Sequence, residues 1–183
     1  MPTSVTIAGR SSSITNAFVN GIIPSVMPDE ALIKKALALL RVSPQDLRCS
    51  YCGDRATEWD HLRPLVLDRR PTGYISEIRN LVPACGKCNQ SKGNKDWEQW
   101  MRGSAAQSPA SRQILDLEER ISRIKEFVAW GNVSPLNLKS LAPRKLWEKH
   151  WENLKKFDEF AREAQGVSNQ LKQALQAVHA QGS

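Results

Sequence analysis

The sequence predicts a mostly helical α+β fold, in which a small centre stapled by cysteines is flanked by N-terminal and C-terminal helices. Two C-x2-C pairs bracket a short middle segment that contains two β-like runs separated by proline and glycine. On both sides of it, apolar residues recur every three or four positions, as on one face of a helix. A chain of 183 residues with 40% hydrophobic residues fits one domain, or one compact domain with an appendage. We divide it into residues 1–46, 47–103 and 104–183.

The N-terminal segment predicts two helices. The first thirteen residues are polar, and we expect them to be extended. Ser13 is a suitable cap for a short helix over 14–20, which Gly21 ends. Asp29 caps a second helix over 30–41, whose leucines and alanines form an apolar stripe.

The middle segment predicts a β-hairpin followed by a helix. Residues 56–62 and 81–83 are expected to form the two strands, and residues 63–79, with two prolines and a glycine, form a long loop between them. A helical turn or more is expected over 89–95, and residues 95–101 either continue it or begin another helix.

Tryptophans and small residues complete the interpretation of this segment. We expect the core to contain Trp59, Trp97 and Trp100, because a zinc fold of this size needs large apolar side chains to bury. The serine- and alanine-rich residues 103–111 are interpreted as a linker.

The C-terminal segment predicts long helices. One carries a stripe of Ile114, Leu117, Ile121, Ile124 and Val128. Another begins near residue 143 or 144 and carries Trp147, Trp151 and Leu154 on one side. Gly166 is expected to interrupt it, and a further amphipathic helix follows over 167–180. These helices are interpreted as a core packed on the middle segment; a dimerisation surface and a DNA-contacting arm are the alternatives. His150 and His179 are expected on the surface.

The net charge indicates a polyanionic partner. The chain carries a formal charge of +7 and a pI near 9.4, which favours nucleic acid or an acidic membrane surface. No run of eighteen apolar residues is present, which excludes a transmembrane helix. The N-terminus lacks a basic region followed by an apolar run, so we expect a cytoplasmic protein.

The four cysteines predict a structural zinc site. Cys49 and Cys52 form one C-x2-C pair, and Cys85 and Cys88 form the other. Cytoplasmic chains seldom keep disulfides, whereas two such pairs suit a tetrahedral Zn²⁺ held by four thiolates. The alternative is a set of unrelated thiols or a redox pair. We call the two turns the first and second zinc knuckles.

A second constellation lies between and just after the knuckles. The order is C-x2-C, Asp60-His61, Asn80-Leu81, then C-x2-C followed by Asn89-x2-Lys92-Gly93. Over residues 48–95 this resembles the HNH endonuclease family in its zinc-bound form. The family often has histidine where this chain has Asn89, which makes the pattern here H-N-N.

The chemistry of these residue types suits hydrolysis of a phosphodiester. Histidine can take a proton from water near neutral pH, and a carboxylate can hold a divalent cation that neutralises the phosphoryl oxygens. An amide oxygen, as in Asn89, remains a competent ligand for a hard cation. Lys92 lies one helical turn from Asn89, from where it could reach the phosphate.

The resemblance implies a ββα-metal fold and a role for each residue. Asp60 and Asn89 would coordinate the catalytic Mg²⁺ or Mn²⁺, and His61 would be the general base. Asn80 would fix the hairpin loop through backbone hydrogen bonds. Outside the motif, Asp60 and Asn89 could be simple caps, His61 an ordinary hydrogen-bonded residue and Lys92 a solvated charge.

Four arginines near the loop are candidate DNA contacts: Arg63, Arg69, Arg70 and Arg79. Arginine pairs well with phosphate and can bind guanine edges. The favoured hypothesis is a metal-dependent DNA endonuclease, in the class of restriction or anti-phage defence enzymes. The alternatives are a zinc-stabilised DNA-binding module without catalysis, and the nuclease subunit of a partner-dependent defence complex. The C-terminal helices are candidates for the interface of a homodimer or for binding a protein partner.

Overall fold

The computed structural model describes residues 6–7, 9 and 11–181 and confirms a mostly helical α+β fold. The expected extended start therefore falls largely outside the described residues. The first helix begins at Ser11, so Ser13 lies within it and the prediction that Ser13 caps it was wrong. The helices are α1 (Ser11–Asn20), α2 (Glu30–Leu39), α3 (Gly86–Lys92), α4 (Trp97–Arg102), α5 (Leu117–Gly131), α6 (Leu138–Leu141) and α7 (Arg144–Gln181). The strands are β1 (Glu58–His61), β2 (Val66–Leu67), β3 (Arg70–Pro71) and β4 (Leu81–Ala84).

The chain divides into two compact units. One spans Ile22–Asn137, and the other joins the residues up to Gly21 with those from Leu138 onwards. The first unit, here called the central unit, contains the whole of the predicted middle segment together with α2 and α5. The second is called the helical unit.

The central unit is built on an antiparallel pair of short strands. β1 pairs with β4, with Asp60 opposite Val82 and His61 opposite Leu81. α3 follows β4 directly, so that the chain runs strand, strand, helix. Asp29 caps α2 as expected, because its side chain accepts a hydrogen bond from the Leu32 N–H at 2.7 Å.

The expected long loop between the two main strands contains a hairpin of its own. β2 and β3 pair antiparallel, and Asp68 and Arg69 form the turn with positive φ values of 48° and 62°. A short 3₁₀ helix, Ile78–Asn80, then leads into β4. Local turn residues identified the loop correctly but could not show that two-residue strands would pair within it.

The tryptophans divide between core and surface. Trp97 and Trp100 are buried in α4, which is a separate helix capped by Asp96. Trp59, however, is 39% exposed, so its placement in the core was wrong. Trp59 and the buried Asp60 are successive residues of β1, and successive strand side chains point to opposite faces.

Residues 103–111 are not a free linker. Ser108 is fully buried, and its hydroxyl donates to the Gly103 carbonyl at 2.6 Å. The Ala110 N–H donates to the Met101 carbonyl at 3.0 Å. The segment therefore leads directly into α5, whose Ile121, Ile124 and Phe127 are buried in the same core as α2.

The helical unit consists of α1, α6 and α7. Phe18 of α1 packs on His150 and Phe157 of α7, with ring centres 5.3 and 6.4 Å apart. His150 also bonds the Phe18 carbonyl through Nε2 at 3.0 Å. The expectation of a surface position for His150 was therefore wrong, whereas His179 is exposed as expected.

α7 runs through Gly166 without a break, which corrects the expected interruption. A glycine inside a helix lowers the stability of that helix by about 1 kcal/mol relative to alanine. This cost is too small to interrupt a helix of 38 residues. Among the described residues, none of the helices combines the length and the apolarity needed to cross a membrane.

Candidate functional site

The four cysteines converge at one place in the central unit. All are buried, and their Sγ atoms lie within 4.8 Å of one another. The Sγ atoms of Cys52 and Cys85 are 3.7 Å apart. Four thiolates at the usual Zn–S distance would be about 3.8 Å apart, so this donor set fits a tetrahedral Zn²⁺. Hydrogen bonds from the Cys52 and Cys88 thiols lower the pKa of Cys49 to about 4.

Two arginines from the C-terminal side support the zinc knuckles. Arg112 donates to the Cys88 Sγ at 3.6 Å and to Asp54 at 2.8 Å. Arg120 donates to the Cys49 carbonyl at 3.2 Å. Their positive charge offsets the negative charge that four thiolates bring to a zinc ion. Neither arginine was predicted from the sequence, because both lie far along the chain from the cysteines they contact and no local signal marks them.

The Asp60 carboxylate is buried and bound on both oxygens. The Tyr51 hydroxyl donates to Oδ2 at 2.5 Å, and the Lys92 ammonium lies 3.2 Å from Oδ1 and 3.1 Å from Oδ2. Burial raises the pKa of Asp60, while the charge of Lys92 and the Tyr51 hydroxyl oppose that rise. Burial and the negative charge of Asp60 raise the pKa of Tyr51, so the phenol stays protonated and donates.

Lys92 does not lie where a phosphate contact was predicted. Its side chain is fully buried, and its ammonium donates to Asp60, to the His61 carbonyl at 2.9 Å and to the Gly93 carbonyl at 3.1 Å. An ammonium has three protons, and these acceptors use them all. Lys92 therefore links α3 to the end of β1 through buried hydrogen bonds.

His61 ends β1 and is half-buried. Its Nε2 lies 2.9 Å from the Ser76 hydroxyl. Burial lowers the pKa of His61, and the charge of Lys92 lowers it further. The imidazole is therefore neutral at pH 7 and keeps one acceptor nitrogen, which is the form that a general base requires.

Asn80 is almost fully buried beneath the loop that follows β1. Its Oδ1 accepts from the Arg63 N–H at 2.8 Å, and its Nδ2 donates to the Arg63 carbonyl at 3.0 Å. These main-chain bonds are the kind that a loop-fixing role requires.

Asn89 lies in α3 beside β1, where its Nδ2 donates to the exposed Glu58 carboxylate. Glu58 and Asp60 share one face of β1, because strand side chains alternate. Carboxylate and amide oxygens are the ligands that Mg²⁺ and Mn²⁺ prefer, so this edge of the strand fits a hard divalent cation. Glu58 was not predicted from the sequence, although its i, i+2 spacing to Asp60 in a predicted strand was a signal for it.

The four candidate arginines lie on different parts of the central unit. Arg69 and Arg70 are exposed at the β2–β3 turn, and Arg79 is exposed in the 3₁₀ helix before β4. Arg63 is half-buried, with its guanidinium 5.4 Å from the centre of the Tyr74 ring. The Arg79 guanidinium is 5.7 Å from the centre of the Trp130 ring.

Comparison with known proteins assigns the middle of the chain to a family. Residues 49–95 match the family model of the HNH endonucleases. The CRISPR-associated endonuclease Cas9 of Corynebacterium diphtheriae is 31% identical over 91 residues, which are 48% of this chain and 8% of that protein. The chain thus spans a small part of the relative it matches. No solved structure matches the chain.

Proposed function

We propose that this chain, whose residues 49–95 form an HNH endonuclease domain, is a metal-dependent DNA endonuclease. The observation that carries the proposal is the end of β1, where the half-buried imidazole of His61 follows Asp60. Asn89 lies on the helix packed against that strand. A neutral base and oxygen ligands at one strand end are the groups that hydrolysis of a phosphodiester needs.

In the proposed mechanism each group of the chain has one role. His61 takes the proton from the attacking water, for which its lowered pKa keeps it neutral. Asp60 and Asn89 would hold Mg²⁺ or Mn²⁺, and Glu58, whose carboxylate accepts a hydrogen bond from Asn89, would add a further oxygen ligand. When bound, the cation supplies positive charge to the phosphoryl and leaving 3′ oxygens. Asn80 keeps the loop beyond His61 in place.

DNA is the proposed substrate, and a restriction or anti-phage defence role is the proposed context. The exposed arginines at the β2–β3 turn and beside β4 suit contacts to phosphates. The similarity to a CRISPR-associated endonuclease supports the context. Four free cysteines at a zinc-like site support a cytoplasmic location, where thiols stay reduced.

The rival proposal is a zinc-stabilised DNA-binding module without catalysis. Such a module needs neither a buried carboxylate at a strand end nor a neutral histidine beside it. A third proposal is the nuclease subunit of a partner-dependent complex, which would keep the same centre but act only with a partner protein.

The decisive experiment is incubation of the full chain with supercoiled plasmid. We expect Mg²⁺ to produce nicked or linear plasmid, EDTA to stop cleavage, and added Mg²⁺ to restore it. Gel-shift binding with an intact plasmid in every metal would favour the binding module instead. A single-stranded RNA of the same length tests the choice of DNA.

We also propose that α7 mediates self-association. Its residues Phe160, Ala164, Val167, Leu171, Ala174 and Val178 are spaced alternately by four and three, the heptad spacing of a helix–helix seam. Leu171 is 60% and Val178 70% exposed. In a two-fold dimer, two single-strand-cutting centres would act on opposite strands of a palindromic site.

The seam can be tested at Leu171. Leu171→Glu is expected to convert a dimer to a monomer in light scattering, measured both free and DNA-bound, because it places a charge within the apolar seam. Gln173→Glu adds the same charge beside the seam and should leave the mass unchanged. Leu154, earlier in α7, is unsuitable for this test because it is buried within the helical unit. A wild-type chain that is monomeric in both states yet makes double-strand breaks would contradict the proposal.

A further inference from the structure

Tyr51 connects the first zinc knuckle to the Asp60 carboxylate. It lies between Cys49 and Cys52, is fully buried, and packs edge-on against Trp100 with ring centres 5.2 Å apart. From that position its hydroxyl donates to Asp60 Oδ2 at 2.5 Å. One rigid side chain thus extends from the predicted zinc ligands to the predicted ligand of the catalytic cation.

The hydrogen bonds of Asp60 leave its two oxygens unequal. A carboxylate offers about four lone-pair sites, two on each oxygen. Tyr51 donates a hydrogen bond to Oδ2, whereas the Lys92 ammonium donates one to Oδ1 at 3.2 Å and lies 3.1 Å from Oδ2. The two oxygens therefore have different partners, and only Oδ2 is bound by a neutral hydroxyl.

Lys92 by itself cannot make this distinction. Its ammonium lies almost equally far from the two oxygens, at 3.2 and 3.1 Å, so it supplies charge without choosing between them. The tyrosine hydroxyl is carried by a ring held in the core, and it contacts one oxygen. The orientation of the carboxylate therefore depends on Tyr51.

We infer that Tyr51 is a positioning residue, through which the first zinc knuckle fixes the orientation of the Asp60 carboxylate that would bind the catalytic cation. The inference rests on the proposed function, in which Asp60 binds that cation. On this inference the structural zinc also affects the catalytic metal, because the knuckle that it stabilises carries Tyr51 and so influences the affinity of Asp60 for the cation. Loss of a side chain that orients a metal ligand typically costs about 10–100-fold in metal affinity or activity.

The test compares Tyr51→Phe with wild type in the full, zinc-loaded chain. The substitution keeps the ring and removes only the hydroxyl. Mn²⁺ binding, measured by electron paramagnetic resonance without DNA, is expected to weaken about 10–100-fold. The Mg²⁺ concentration for half-maximal plasmid cleavage should rise in parallel, while KM for DNA stays unchanged.

Ser108→Ala is the matched control. It removes another fully buried hydroxyl of the central unit, one that bonds the Gly103 carbonyl rather than Asp60. It is expected to lower the melting temperature to a similar extent as Tyr51→Phe, but to leave Mn²⁺ affinity unchanged. Both variants should retain zinc.

The outcomes separate the inference from the proposed function. Wild-type Mn²⁺ affinity in Tyr51→Phe overturns the inference while leaving nuclease activity intact. Loss of zinc or of the folded state in Tyr51→Phe also overturns it, because the hydroxyl would then support the fold rather than the carboxylate. A wild-type chain that neither binds Mn²⁺ nor cleaves plasmid overturns the proposed function together with the inference.

Discussion

His61→Ala is expected to abolish plasmid cleavage while leaving DNA affinity near the wild-type value. The imidazole is neutral because burial and the charge of Lys92 lower its pKa, and in the proposed mechanism it takes a proton rather than binding the duplex. Removal of a general base typically lowers the rate by about 10²–10⁴-fold. Single-turnover cleavage and gel-shift binding on the same DNA measure the two properties separately.

His179→Ala is the matched control for that experiment, since it removes an exposed imidazole of α7. It should cut at the wild-type rate. If His61→Ala also cut at the wild-type rate, His61 would have no part in the mechanism. If it lost DNA binding as well as cleavage, its role would lie in holding the substrate.

Cys85→Ser is expected to lose both bound zinc and the folded state of the central unit. Cys85 immediately precedes α3, and its carbonyl accepts a hydrogen bond from the Asn89 N–H at 3.0 Å. Loss of this predicted zinc ligand should therefore also release the start of the helix that carries Asn89. Structural zinc sites supply folding free energy directly, with apparent binding energies of about 10–16 kcal/mol in zinc-finger peptides. Metal analysis of the wild type should find about one zinc per chain.

Ser50→Ala is the control within the same knuckle. The Ser50 hydroxyl is buried and has no hydrogen-bond partner among the described residues, so its loss should leave zinc content and melting temperature unchanged. Circular dichroism melts with zinc analysis compare the two variants. A Cys85→Ser chain that folds without zinc would show that zinc does not stabilise the fold.

Several features followed from the sequence because their signals are local. The cap at Asp29, the strands around Asp60 and Val82, and the approach of the two cysteine pairs each depend on residue types at short spacing. The same kind of signal placed Asp60 and His61 at a strand end and Asn89 on the helix that follows. Periodicity also identified Ile121 and Ile124 in the buried face of α5, although the helix begins at Leu117, after Ile114, and Phe127 rather than Val128 is buried.

The tertiary structure alone decided which charges are buried and what they contact. Lys92 looks like a solvated lysine in sequence, yet it is enclosed with Asp60 because α3 packs on β1. Arg112 directly follows the segment that was predicted to be a linker, yet it bonds to Cys88 across 24 residues. Trp59 is exposed and Asp60 is buried because successive side chains of a strand point to opposite faces.

The sequence by itself therefore determined the fold class and the resemblance of residues 49–95 to the HNH endonucleases. Only the folded chain decided that Tyr51 joins the zinc knuckle to Asp60, that Lys92 is unavailable to a phosphate, and that α7 continues through Gly166. The physical reason is that the spacing of residue types along the chain depends on local conformation. Burial and hydrogen-bond partnership instead depend on elements brought together from distant positions, and their free energies are set by the packed interior.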